Sequence, residues 1–245
     1  MEIIESINNE RIKNICKLKE KKYRDESDLF LVEGEHLVEE AYKNNNLVEI
    51  FCLSSYVINI SFDKVTYVSE KVINKLSELN NTKVVGVCKK NKVLKYGNRL
   101  MILDNLQDPG NLGTVIRSAS AFNMDSIILI NNCVDLYNSK VIRATQGLIF
   151  KMNVLEVSFD ILKELKDNNY KIYGTNVDNG NILSEIDFSD KIAIIIGNEG
   201  SGISSNVKEY IKENIYIPMN SNCESLNASV AASIIMYEIS MVDYE

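Results

Sequence analysis

Three times between residues 99 and 241, an apolar run breaks off into a polar or glycine-rich loop, and each loop opens a helix. The first is RLMILDNL (99–106), which runs through Pro109–Gly110 into NLGTVIRSASAF. The second is IAIIIGNEGSGIS (192–204), and the third is IYIPMNSNCESLNASVAASIIMYE (215–238). Short apolar strands joined by helices indicate a parallel sheet covered on both faces. Open sheets of this kind take their ligands just outside the carboxyl ends of the strands. The repeated switch therefore constrains both the fold class and the place where chemistry is to be sought.

The rest of the chain extends this pattern. In the C-terminal part we expect helices near 111–122, 138–146, 159–167, 204–212 and 226–241. Strands are expected at 126–130, 152–157, 170–175, 191–196 and 214–217. The N-terminal part reads as a helix over about 8–21, then LFLVEG as a strand and a helix from Glu35 to Asn44. LVEIFCL and KVTYVS follow as strands, EKVINKLSEL as a helix and TKVVGVCKK as a last strand. This is a smaller α/β domain. The polar, basic stretch 89–98 is a linker. The expected division is 1–92 and 98–245.

The 245 residues contain no apolar run near the roughly 18 that a membrane span needs. The N-terminus, MEIIESINNERIK, resembles neither a secretory nor a transit peptide, so the expected location is the cytoplasm. The cysteines (Cys16, Cys52, Cys88, Cys133, Cys223) are odd in number and widely spaced, which indicates neither a disulfide framework nor a zinc site. The single histidine, His36, reads as a solvated residue in the first turn of a helix, and no metal is expected.

The net charge of −7 argues against nonspecific nucleic-acid binding. The charge is unevenly spread. Residues 11–24 carry seven basic side chains and one acid, Glu20, a patch that fits either a solvated helix face or an RNA contact.

In the first motif, Asn111 falls where a helix N-cap belongs, and Leu112, Val115, Ile116, Ala119 and Phe122 share an apolar stripe. Arg117 lies off that stripe, six residues and roughly 9 Å of helix rise beyond Asn111. Helical side chains lean toward the N-terminus, so its guanidinium can approach the loop mouth, where an anionic ligand is favoured. The second motif reads G-x-x-G-x-G rather than the dinucleotide order G-x-G-x-x-G, and it carries no P-loop lysine. It offers backbone groups unobstructed by side chains, plus one acid, Glu199, which also fits a helix cap. In the third motif, Ser225 reads as a cap for a helix that is small and apolar nearly all round, and thus suited to packing against a second helix.

Together the motifs resemble those of the SpoU (TrmH-type) RNA 2′-O-ribose methyltransferases of the SPOUT class. N-x-x-x-x-x-R, G-N-E-G-x-G and I-P-M…S-L-N-x-S-x-A occur in the family's order and spacing across residues 99–243. LFLVEGEHLVEEA resembles the ribosomal-protein-like substrate-binding domain often fused to that family. The resemblance implies an α/β fold whose C-terminal parallel sheet carries a deep trefoil knot. It implies S-adenosylmethionine (SAM) as cofactor, held around Thr175, Gly197, Ile217, Met219 and Leu226. It places Asn111, Arg117, Glu199, Ser225 and Asn227 in the catalytic pocket, at the interface of a homodimer. Structured RNA is the implied substrate, ribosomal RNA ahead of transfer RNA. The competing readings are a non-catalytic RNA-binding paralogue, an NAD enzyme and a base methyltransferase.

Overall fold

Ile, Leu and Val dominate the strands of the C-terminal half, and the resulting sheet is buried from both sides. We describe it from a computed structural model, which covers residues 3–92, 95–177, 179–188 and 191–241. The chain divides into two compact units. One comprises Met1–Lys92 with Asp135–Lys151, and the other Val93–Val134 with Met152–Glu245. The division is therefore not the single cut near residue 92–98 expected from the sequence, because 135–151 clusters with the first unit.

The first unit contains β1 (Ile3–Ile4), α1 (Glu10–Lys17), α2 (Lys21–Ser27), β2 (Leu29–Glu33), α3 (Glu35–Lys43), β3 (Leu47–Leu53), β4 (Val65–Val68), α4 (Glu70–Leu76) and β5 (Val84–Lys89). Its strands lie in the order β1-β4-β3-β5-β2, with β5 antiparallel to both neighbours. Alternation along β3 and β5 sends Phe51, Leu53, Val85 and Val87 to one face, where Ile12 and Leu18 cluster with Val72, Ile73 and Leu76 of α4.

The helix expected over 8–21 is instead two helices. Leu18 caps α1, and the buried Arg24 of α2 donates to the carbonyls of Leu18 and Lys19 and pairs with Asp135. Those carbonyls have no helical partner, so the guanidinium satisfies them. The basic patch is correspondingly smaller than its count. Arg24 is internal, and Arg11 and Lys21 pair with Glu49 and Asp135. His36 is exposed, with Nε2 3.1 Å from the Gln146 carbonyl.

Residues 135–151 contribute α6 (Ser139–Thr145) to this unit. The second unit holds β6 (Arg99–Asp104), α5 (Pro109–Ala121), β7 (Ser126–Ile130), β8 (Asn153–Glu156), α7 (Ile161–Asp167), β9 (Lys171–Thr175), β10 (Asn181–Ile182), β11 (Ile192–Ile196), α8 (Ser205–Lys208), β12 (Glu213–Tyr216) and α9 (Ala228–Met241). Among the described residues its strands run β10-β12-β9-β11-β6-β7-β8, every pair parallel. Leu100, Ile102, Ile128, Ala193 and Ile195 project into a core shared with Leu162 and Leu165 of α7.

Three local readings are corrected. Pro109–Gly110 is the first turn of α5 rather than a reversal before it, and Asp108, not Asn111, is the N-cap. Asp108 accepts from the Asn111 amide at 2.8 Å, and proline at N1 carries no amide to satisfy. The helix expected over 204–212 is the single turn of α8. α9 begins at Ala228, with Asn227 rather than Ser225 as its cap: Asn227 Oδ1 accepts from the amides of Ser229 (2.9 Å) and Val230 (3.3 Å).

Candidate functional site

Parallel strands bring their carboxyl ends to one edge, and the loops after β6, β9, β11 and β12 meet there. The last three of these surround a cavity of about 790 Å³, within the ordinary range for a small-molecule site. Thr175, Gly197, Ile217, Met219 and Leu226 all line it, as do Glu199, Ser225 and Asn227. Ile196, Ala231 and Ile235 supply apolar wall. Thr175 Oγ1 donates to the Ile195 carbonyl at 3.0 Å, tying the end of β9 to β11.

Gly197 shows why this loop has no side chain at its base. A Cβ there would lie 2.3 Å from the backbone carbon of Gly202 and 2.4 Å from the Ile203 nitrogen. The loop folds back on itself at that point, with Asn198 and Gly202 exchanging two backbone hydrogen bonds of 3.0 Å. Asn198 Oδ1 accepts from the amides of Gly200 and Ser201, both at 3.0 Å, and its Nδ2 donates to the Asn105 carbonyl.

Three of the sequence-predicted catalytic residues form one hydrogen-bonded chain. Asn111 is 8% exposed, and its Nδ2 donates to Glu199 Oε1 at 3.0 Å. Its Oδ1 accepts from Asn227 Nδ2 at 2.9 Å and from Ser229 Oγ at 3.2 Å. Because Asp108 rather than Asn111 caps α5, the Asn111 side chain is free to make these bonds. Glu199 also accepts the amides of Gln107 and Asp108 at 3.4 and 3.3 Å. Desolvation is the largest single influence on this carboxyl and pushes its pKa up. The bonds from Asn111 and the backbone amides outweigh it, and the group lies below the usual carboxylate range. Glu199 is therefore a tether between loops and not a helix cap.

Arg117 and Ser225 stand apart from this chain. Arg117 is exposed on α5, makes no ion pair or hydrogen bond among the described residues, and is not among the cavity-lining residues. Ser225 lines the cavity from an exposed loop.

Sequence reasoning missed Asp108, Asn198 and Ser229. An acid immediately before proline at a helix start was the available signal for Asp108. The other two stand inside G-N-E-G-x-G and S-L-N-x-S-x-A, but their bonds to Asn105 and Asn111 join segments remote in sequence. Three of the cysteines offer no competing nucleophile: Cys52 and Cys88 are buried, and burial pushes the Cys133 thiol up to about 11.

Known proteins are similar to this chain in sequence and fold. The profile of the SpoU rRNA Methylase family matches residues 98–237, and that of the MRM3-like substrate binding domain matches 9–86. The chain is 36% identical, over 98% of its length and 99% of the relative's, to the 23S rRNA (guanosine(2553)-2′-O)-methyltransferase RlmP of Bacillus subtilis. A crystallised RNA 2′-O ribose methyltransferase superposes with a TM-score of 0.85 at 27% identity, covering all of both chains. An AdoMet-bound rRNA methyltransferase from Sinorhizobium meliloti does so with a TM-score of 0.87 at 25% identity, covering 98% of each. On the family match and the near-full-length relative, the chain belongs to the SpoU rRNA methylase family and is a SAM-dependent RNA methyltransferase.

Proposed function

We propose that this chain methylates a ribose 2′-hydroxyl of 23S ribosomal RNA. The observation that carries the reading is the Asn227–Asn111–Glu199 chain, in which Asn111 at the start of α5 links two cavity-lining residues from the loops after β11 and β12. The full-length likeness to the Bacillus subtilis enzyme supports the choice of RNA.

The cavity fits the cofactor. Its volume accepts a nucleoside-sized ligand, and Gly197 leaves bare backbone where any side chain would clash. Thr175, Gly197, Ile217, Met219 and Leu226 would hold SAM, largely through backbone groups. When bound, SAM supplies a methyl carbon already activated by its sulfonium, so no metal is needed to activate it. The protein's task is then to align the ribose oxygen and manage its proton. Asn111 and Asn227 orient groups through their amides, while Glu199 fixes Asn111. Ser225 stands where a hydroxyl can relay the proton. Arg117 carries a guanidinium, which has no lone pair suited to taking a proton, and serves instead as a cation for the RNA phosphate and for developing negative charge on oxygen.

Because Arg117 lies outside the cavity of its own chain, its role requires a second copy, with the site at a homodimer interface. The exposed side chains Val230, Ile234, Tyr237 and Met241 support this, since they repeat along one stripe of α9. The trefoil knot has support in the order of the strands. β12 lies beyond β9, yet the chain returns from it to pack α9 against α5. The unit built on residues 1–92, with which 135–151 cluster, forms the RNA substrate-binding domain and the unit built on the rest of the chain the SAM-binding methyltransferase domain, working in the cytoplasm. No described helix is long and apolar enough to cross a membrane.

The test is transfer from labelled SAM to total RNA of a strain lacking the gene, digested to nucleosides. Label in 2′-O-methylnucleosides of 23S rRNA is expected. Label confined to transfer RNA would overturn the substrate, and label in a methylated base would overturn the reaction.

A further inference from the structure

We propose that Asp104 is a positioning residue for methyl transfer: one buried carboxyl group pins the 197–204 loop and so presents Glu199 to Asn111. The proposal rests on the methyltransferase reading above.

Asp104 ends β6 and is fully buried. In the sheet register Leu103 faces Ile196, which sets Asp104 level with the start of the glycine loop. Three donors converge on it, two from Ser204 at the start of α8 and one from Asn131. Ser204 donates its amide to Oδ2 at 2.6 Å and its hydroxyl to Oδ1 at 2.9 Å. Asn131, just past β7, donates Nδ2 to Oδ1 at 2.8 Å. Among the described residues the carboxyl group has no ion pair, and Ser204 and Asn131 supply its hydrogen bonds.

The loop is thereby closed at both ends. Its first residue continues β11, its last is held by Asp104, and Asn198 ties its base to the Asn105 carbonyl. Glu199 projects from between these anchors to Asn111, and Ser201, Gly202 and Ile203 line the cavity. Nothing else described holds Ser204 by its amide. The geometry asks for an acceptor at both oxygens, and an amide at position 104 would aim a donor at other donors.

This last point supplies the test. Asp104→Asn removes one acceptor. Asn131→Asp added to it reverses the polarity of that bond: the new amide nitrogen donates to the new carboxylate and to Ser204 Oγ, while its oxygen still receives the Ser204 amide. With assays run well below each variant's Tm, no reversibly unfolded fraction raises the apparent KM for SAM, and irreversible loss of folded protein lowers kcat alone.

In steady-state transfer to a 23S rRNA transcript, Asp104→Asn is expected to raise KM for SAM about tenfold, the size of one lost charge-assisted hydrogen bond. KM for RNA should not change. Ser204→Ala, which removes only the hydroxyl bond, should raise KM for SAM about threefold. The double variant Asp104→Asn/Asn131→Asp should return it to within about twofold of the parent. Wild-type KM for SAM in Asp104→Asn and Ser204→Ala overturns the proposal, as does a folded double variant no better than Asp104→Asn. If Asp104→Asn fails to fold, Ser204→Ala decides: a raised KM upholds the proposal and an unchanged one overturns it. A wild-type protein that neither binds SAM nor transfers methyl would instead overturn the methyltransferase reading.

Discussion

Arg117→Ala separates the stability of this fold from its chemistry more cleanly than any other substitution. The side chain is exposed and has no partner among the described residues, so its removal deletes no contact within the chain. Alanine is the best helix former, and an exposed change of this kind falls within about 0.5 kcal/mol. For a protein of this size that is a shift in Tm of under about 2 °C. SAM affinity should also hold, because Arg117 does not line the cavity. The chemical effect has a different scale. A preorganised donor to developing negative charge contributes about 2.7–4 kcal/mol, so kcat should fall about 10²–10³-fold. Arg117→Lys keeps the charge and loses the planar fork, and should lie between the two. Calorimetric Tm, SAM affinity by titration and single-turnover transfer to rRNA give the three readouts. Activity within threefold of wild type would refute the role assigned to Arg117. A Tm loss above about 5 °C would refute the claim that it is structurally idle.

Gly197→Ala should abolish measurable SAM binding and destabilise by about 1–3 kcal/mol, because the new methyl meets backbone atoms that cannot swing aside; unaltered affinity in a thermal-shift titration would contradict this. Glu199 is held below its ordinary pKa, so its contribution to stability is complete above about 4.3 and is lost as pH falls through the lower folded value. The Tm gap between wild type and Glu199→Gln should accordingly be constant from pH 5 to 7 and close only in stronger acid; closure by pH 6 would count against the tether. Ile234→Glu places a charge on the exposed stripe of α9 and should halve the mass seen by light scattering with helix content retained; an unchanged mass would remove that stripe from the dimer interface.

The amino-acid sequence determined the class of fold and pointed to eight of the residues that line the cavity. Runs such as IAIII and SIILI are buried from both sides, so their period already states a parallel sheet with helices over each face. The glycine loop and the Asn, Glu and Ser residues at the strand ends mark the edge where the cavity opens. What the sequence left open was which side chains meet. Asn111 read as a cap because N-cap preference is a local statistic, whereas Asp108 takes that place once proline occupies the first helical position. Arg24 read as part of a basic face until the carbonyls left over at the end of α1 and the carboxyl of Asp135 claimed it. Residues 135–151 read as part of the second domain, yet they cluster with the first. The bonds Asp104–Ser204 and Asn111–Asn227 span 100 and 116 positions. They exist because β11 inserts beside β6 and α9 returns to α5. Hydrophobic period carries no record of strand order, and strand order decides which loops share an edge, so the tertiary structure alone chose these partners.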